Sequence, residues 1–295
     1  MPRRAGGTLA QFRRMTRLKL AQVTLCAVDT RSPLLAAQSL QRSMAGVDFG
    51  RVLLFTRDWA PLRPLHGVEV VEIDPLRSGA DYSHFVLRRL PDFVRTSHVL
   101  VTQWDGFVVD PRAWSDEFLV HDYVGAVWPD QPAARSVGNG GFSLRSRRLL
   151  AAGQDPRITE EHPEDLVLCR AWRELLEREH GVSFAPPALA RRFAFENETP
   201  QAPTFGFHGP YNLPRFVDEA SLATVLDELP DDFFRTRDAR RLARAMLVQG
   251  MPATARRLLQ RRQSAGRRDP NTRLLGAAAT LLSLFQGRSA GPPAP

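Results

Sequence analysis

The sequence predicts an α/β domain with a mixed, mainly parallel sheet flanked by helices, followed by a small all-helical C-terminal region. Three observations carry this. Short, continuously apolar segments alternate with helical ones through the first hundred residues, which is the pattern of strands buried on both faces. From Asp238 onward the composition shifts to Ala, Leu and Arg, broken at Gly250-Met-Pro252 and again at Gly266 to Pro270. The length, 295 residues, suits one large domain plus an appendage, since single cores stop growing near ~250–300 residues.

Taken in order, residues 1–19 read as a flexible basic arm. Val23 to Val28 is the first strand and ends at Asp29-Thr30-Arg31-Ser32-Pro33; a helix from Leu34 to Met44 starts near Ser32 and Pro33. Val52–Phe55 and Val68–Ile73 are the next strands, Tyr82 to Val94 a helix, and His98–Thr102 a fourth strand that runs into Gln103-Trp104-Asp105-Gly106. In sheets of this kind ligands sit beyond the carboxyl ends of strands, where Asp29 and Asp105 fall. A Gly-rich run at 138–141 follows, then helices over 146–152 and 164–180, a strand at 193–196, Thr204 to Gly209, and a helix over 218–229. The domain therefore spans 20–234. Residues 235–290 form three helices, whose breaks resemble one and a half tetratricopeptide-type (TPR-like) repeats. Residues 291–295 are a tail.

Composition excludes several classes. Hydrophobic residues at 43% with 24% charged are incompatible with a largely disordered chain. No apolar run approaches the ~18 residues needed to span a bilayer. The two cysteines, Cys26 and Cys169, with no export signal, point to a reducing, cytoplasmic setting without disulfides. The net charge of +8 would suggest nucleic acid, but it is unevenly placed. Residues 1–19 carry six basic and no acidic residues, and 235–295 carry thirteen arginines against Asp238 and Asp269, so the middle is acidic. No specific nucleic-acid partner is expected. The C-terminal arginines could instead form a positive face touching an anionic membrane from its inner side, or a solvated face on a helical cap.

Four places could carry chemistry. Asp105 meets a ligand or cation if it is more than a turn residue before Gly106. Gly138-Asn139-Gly140-Gly141 lets backbone approach a ligand, or makes a tight turn; it matches neither a P-loop nor a Gly-x-Gly-x-x-Gly fingerprint. Glu164 and Asp165, after His162-Pro163, are either helix-start acids favoured by the macrodipole or a general base. His208, between Phe207 and Gly209, is a structural histidine or a metal ligand.

The order of these segments resembles a known family. Thr102-Gln-Trp-Asp-Gly-Phe, Tyr123-Val-Gly-Ala-Val-Trp-Pro129, Val137-Gly-Asn-Gly-Gly-Phe-Ser-Leu-Arg-Ser146, His162-Pro-Glu-Asp165 and Phe205-Gly-Phe-His-Gly209 together resemble a bacterial and fungal family of uncharacterised domains that looks like GT-A fold glycosyltransferases. The resemblance covers roughly 20–215. The late motifs are also similar to those of metal-dependent galactosyltransferases that use UDP-galactose. The resemblance implies a GT-A-like (Rossmann-like) sheet and transfer of a sugar from a nucleotide-sugar donor, UDP-linked by preference, to a hydroxyl of a glycan or lipid-linked acceptor. It implies Asp105 and His208 as ligands of Mn²⁺ or Mg²⁺, and Glu164 or Asp165 as the base. It places Gly140 and Gly141 in the wall of the sugar site, and Asp29, Thr30, Gln103 and Trp104 beside the nucleotide. One departure stands out: Gln103 occupies the place of the first Asp of the Asp-x-Asp signature, and Trp104 its middle. That departure also favours a second reading, a non-catalytic glycan- or partner-binding module.

Overall fold

The computed structural model describes residues 17–289. β1 (Leu18–Val28) begins two residues inside the expected arm. It is anchored there by Arg17, whose guanidinium pairs with Asp48 at 2.6 Å and donates to the carbonyls of Met44, Ala45 and Val47. The rest of the arm, and the tail at 291–295, lie outside the described residues.

α1 (Pro33–Met44) follows with Pro33 at its first position, then β2 (Val47–Thr56), β3 (Glu69–Glu72) and α2 (Gly79–His84). Ser78 and Asp81 form a capping box at the start of α2, two donors satisfied reciprocally. The expected helix to Val94 changes character: Phe85–Arg89 is a π-helical turn and Leu90–Asp92 a 3₁₀ turn. β4 (His98–Thr102) lies where the sequence puts it. β5 (Phe107–Val108), β6 (Tyr123–Val124) and β7 (Phe142–Ser146) precede α3 (Arg147–Ala152).

The expected helix 164–180 is also interrupted. α4 (Glu164–Leu166) passes into a π turn at Val167–Ala171, and after Trp172 the chain restarts as α5 (Arg173–His180), closed by Gly181 in the left-handed region. Pro163 is the residue before this helix rather than its first member. α6 (Pro187–Phe193), β8 (Ala194–Phe195), β9 (Gly206–Phe207) and α7 (Glu219–Glu228) complete the central domain. The C-terminal region is α8 (Arg237–Val248), α9 (Pro252–Ser264) and α10 (Pro270–Ser289), with Gly250 and Gly266 at positive φ in the two breaks.

The main sheet has the order β3-β2-β1-β4-β7-β6. β3, β2, β1 and β4 are parallel, whereas β7 runs antiparallel to both β4 and β6. A small sheet, β5-β9-β8, sits beside it. The continuous apolar runs follow from burial on both faces: Leu25 and Ala27 enter one cluster with Leu40 of α1, while Cys26 and Val28 enter another with Phe85 and Val86. Fold class is therefore as expected: α/β, mainly parallel, with a helical C-terminal region.

That region does not stand apart. Leu242, Met246, Leu258 and Leu259 share one buried cluster with Leu35 of α1 and with Phe195 and Phe207 of the small sheet. Several arginines expected on a positive face are engaged locally. Arg262 is 4% exposed and donates to the carbonyls of Phe234 and Thr236; Arg257 pairs with Asp227, and Arg261 with Asp231 at 3.1 Å. Leu274, Leu281 and Leu282 on α10, which recur at helical spacing and could have joined one apolar seam, are exposed. Among the described residues no helix is long and apolar enough to cross a membrane.

Candidate functional site

Two cavities open at the carboxyl ends of β1 and β4. The first, about 230 Å³, is lined by Asp29, Thr30, Arg31, Leu76, Gln103 and Trp104, with Tyr82 and Gly79. The second, about 470 Å³, is lined by Gly140, Gly141, Glu164, Asp165, Glu196 and His208, together with Trp128 and Asn139. Gly79, Tyr82 and Gln103 line both, so one wall is common to the two.

β1 delivers Asp29 and Thr30. The Asp29 carboxylate accepts from the N–H groups of Arg31 and Ser32 at 2.8 and 2.7 Å, an Asx turn leading into α1, and burial raises its pKa. Thr30 accepts from the N–H of Leu76 at 2.9 Å and so ties the 74–78 loop to the strand end. These contacts explain how the first cavity is shaped. Trp104 packs edge-on against Phe233, just ahead of the C-terminal helices.

β4 delivers Gln103 and Asp105, and β7, running the other way, delivers the glycine turn. The Gln103 N–H donates to the Gly141 carbonyl at 2.9 Å, which locks the two turns together. Asp105 is 6% exposed. Its Oδ1 lies 3.3 Å from His208 Nε2, and that nitrogen is 3.2 Å from Gln103 Oε1. His208 Nδ1 faces Glu196 Oε1 at 3.4 Å. Burial alone would lower the imidazole pKa, but Asp105 and Glu196 outweigh it and hold the group well above its ordinary value. Glu196 is correspondingly held low by His208 against its own burial.

Gly141 is required by this approach, because a Cβ there would run into the His208 ring. At Gly140 a Cβ would strike Glu164 Oε1. Asn139 adopts the left-handed conformation, φ 66°, and donates to Glu196 Oε2 at 2.7 Å.

The two adjacent acids behave differently. Glu164 is buried and pairs at 2.8 Å with Arg145, a wholly buried arginine that also bonds Ser143 and the Gly140 carbonyl. Asp165 is half-buried and accepts from the Gly140 N–H at 3.0 Å. If Glu164 took up a proton, it would strand the Arg145 cation; at Asp165 that cost is absent.

All ten residues singled out in the sequence thus fall in or beside the two cavities. Sequence reading missed Glu196, Asn139 as a side chain, and Arg145. Glu196 had no signal beyond following an apolar strand, while Arg145 stood in the Val137–Ser146 segment with nothing there to name its partner.

Asp105 Oδ1 and Gln103 Oε1 both lie beside His208 Nε2. Asp105 Oδ1 is buried without a hydrogen-bond donor. A carboxylate facing the other ring nitrogen, as Glu196 does, is the usual way a ligating histidine is oriented. Among the described residues no three His, Cys, Asp or Glu side chains could hold a metal ion by themselves. The set therefore does not suit an all-protein cage.

A family model described as a protein of unknown function (DUF5672) matches residues 67–208, a span that runs from the loop before β3 to His208. No curated protein matches the chain. Among solved structures that it resembles is the mannosyltransferase PcManGT from Pyrobaculum calidifontis, in complex with GDP-Man and Mn²⁺. That match has a TM-score of 0.41 and 13% identity over 92% of this chain and 81% of the other.

Proposed function

We propose that this chain is a glycosyltransferase of the GT-A type that moves a sugar from a nucleoside diphosphate to an acceptor hydroxyl. The observation that supports it is the pair of cavities with Gln103 in their common wall and Asp105 and His208 beside it. In this reading the nucleotide lies against Asp29, Thr30 and Trp104, and the sugar against Gly140 and Gly141. Asp105 and His208 would hold Mg²⁺ or Mn²⁺, with Gln103 alongside. Such an ion, when bound, neutralises the departing diphosphate. Glu196 keeps the His208 ring in place. Asp165 is the better-suited base for the acceptor hydroxyl, since Glu164 is committed to Arg145; a base of this kind contributes ~10²–10⁴-fold. The acceptor, a glycan or a lipid-linked sugar, approaches past Trp128, and any peripheral contact with an anionic membrane belongs to this proposal as well.

Calorimetric titration with UDP- and GDP-sugars, with and without Mn²⁺, tests it, together with release of nucleoside diphosphate. Metal-dependent binding that Asp105→Asn abolishes is the expected result. Failure of every nucleotide sugar to bind would refute it. Gln103 in place of an acid favours the second reading, a non-catalytic glycan-binding module; glycan binding without nucleotide binding or turnover would select that.

A further inference from the structure

Glu196 occupies a strategic position, and its surroundings reach into the C-terminal helices. Its Oε2 is held by two amides. One is Asn139, from the glycine turn, at 2.7 Å; the other is Asn197 Nδ2 at 2.6 Å. The Asn197 amide cannot be reversed without loss, because its Oδ1 accepts from the Tyr211 hydroxyl at 3.0 Å and from Arg241 Nη2 at 2.8 Å. A flipped amide would set its NH₂ against two donors and its oxygen against a carboxylate.

Arg241 belongs to α8. Its guanidinium also lies over the Tyr211 ring, 3.3 Å from the centroid, and its Nη1 is 3.5 Å from Asp238. The ring sits close over Gly209, at φ 95°, where a Cβ would meet both Tyr211 and the stem of Glu196. Asn212 completes the bracing by donating to the carbonyls of Glu196 and His208 at 3.0 and 2.7 Å. The chain of contacts Arg241, Asn197, Glu196, His208 is continuous; its last link is the 3.4 Å ion pair between Glu196 Oε1 and His208 Nδ1, a nitrogen with no hydrogen-bond partner.

We propose that Arg241 is a positioning residue for the site: acting through the Asn197 amide and the Tyr211 ring, it fixes Glu196 and thereby the orientation of His208. The C-terminal helices are then part of the working unit. The consequence for turnover rests on the glycosyltransferase reading; the geometric claim does not.

The test uses the full chain with Arg241→Ala, Arg241→Lys and, as a control on the same helix, Arg244→Ala. The first readout is the long-range ¹H–¹⁵N spectrum of the His208 ring, which senses the carboxylate beside Nδ1. Glu196→Gln supplies the reference for a ring without that charge. Arg241→Ala is expected to move the His208 signals toward those of Glu196→Gln, and Arg244→Ala to leave them in place. The second readout is transfer kinetics, with kcat falling about tenfold or more and donor KM changing little, since an ångström of misplacement can cost up to ~10²-fold. A His208 spectrum unchanged in Arg241→Ala overturns the proposal, even if the melting point falls. Should that variant fail to fold, Arg241→Lys, which keeps the charge but gives up the planar fork aimed at Asn197 and stacked on Tyr211, takes its place, and an unshifted His208 ring there overturns it equally. If the parent protein transfers no sugar, the functional reading fails while the spectrum still decides the role of Arg241.

Discussion

Replacing Glu164 by Gln separates a structural acid from a catalytic one. Arg145 is 0% exposed, and one of its terminal nitrogens, Nη1, already has no hydrogen-bond partner. Glu164 supplies its one carboxylate, at 2.8 Å. Glutamine keeps the shape but leaves the guanidinium charge buried and uncompensated. Breaking a buried pair from one side costs about 3–5 kcal/mol. Against a total stability of ~5–15 kcal/mol this is a large fraction, and at ~2–4 °C per kcal/mol for a large domain it lowers the melting point by roughly 6–20 °C. Asp165→Asn should differ in kind: the amide oxygen still accepts from the Gly140 N–H, so stability changes by less than about 1 kcal/mol, while transfer falls steeply. A compensating pair, Arg145→Met with Glu164→Leu, should recover much of the lost stability, because apolar replacement of a buried ion pair is often neutral or favourable. Differential scanning calorimetry measures all three. A Glu164→Gln protein that melts with the parent would refute the reasoning. So would one that loses transfer at parental stability, since Glu164 would then be acting in the chemistry.

Three further outcomes are expected. Gly141→Ala should displace His208 and weaken Mn²⁺ binding more than tenfold with the far-ultraviolet circular dichroism preserved; electron paramagnetic resonance of free Mn²⁺ reads this, and parental affinity would show that the ring tolerates the methyl group. Asp269 is drawn down to about 2, chiefly by the Thr272 hydroxyl, so its folded value lies below its unfolded one. Its contribution is present above pH ~4 and lost as pH falls toward 2; Asp269→Asn should flatten that limb of a stability-versus-pH curve, and an unchanged limb would count against it. Burial pushes the Cys26 thiol up to about 12 and raises Cys169 as well, so neither should react with a thiol reagent at neutral pH until the chain unfolds; fast native labelling would contradict the burial.

Three strands of the parallel half, β1, β2 and β4, were legible because their inner stretches are buried on both faces and so leave an unbroken apolar run; β3, at the sheet's edge, is largely exposed. His98–Thr102 is the clearest case. The two longer helices were legible as helical but not as interrupted, since the π turns at Phe85–Arg89 and Val167–Ala171 leave no mark in apolar spacing. Asp105 and His208 were singled out from their motifs, and they lie 3.3 Å apart. Glu196 was not, because its role depends on amides from residues 139 and 197 that come together only in three dimensions. Arg145 was not singled out for a related reason: nothing in the sequence marks one arginine among so many as buried until its carboxylate partner, nineteen positions on, is known.

The reversed direction of β7 has a consequence for how such a chain can vary. Because β7 starts antiparallel beside the end of β4, Thr102 and Phe142 face one another in register. The segment between them is therefore a closed excursion whose two feet are pinned side by side. Residues could be added to or removed from its exposed middle, for example around 129–136, without moving either foot. Closing a loop of twice the length costs only about 0.6 kcal/mol more. The rim of the second cavity, to which Trp128 belongs, is thus free to diverge between related chains while Asp105 and the glycine turn remain where they are.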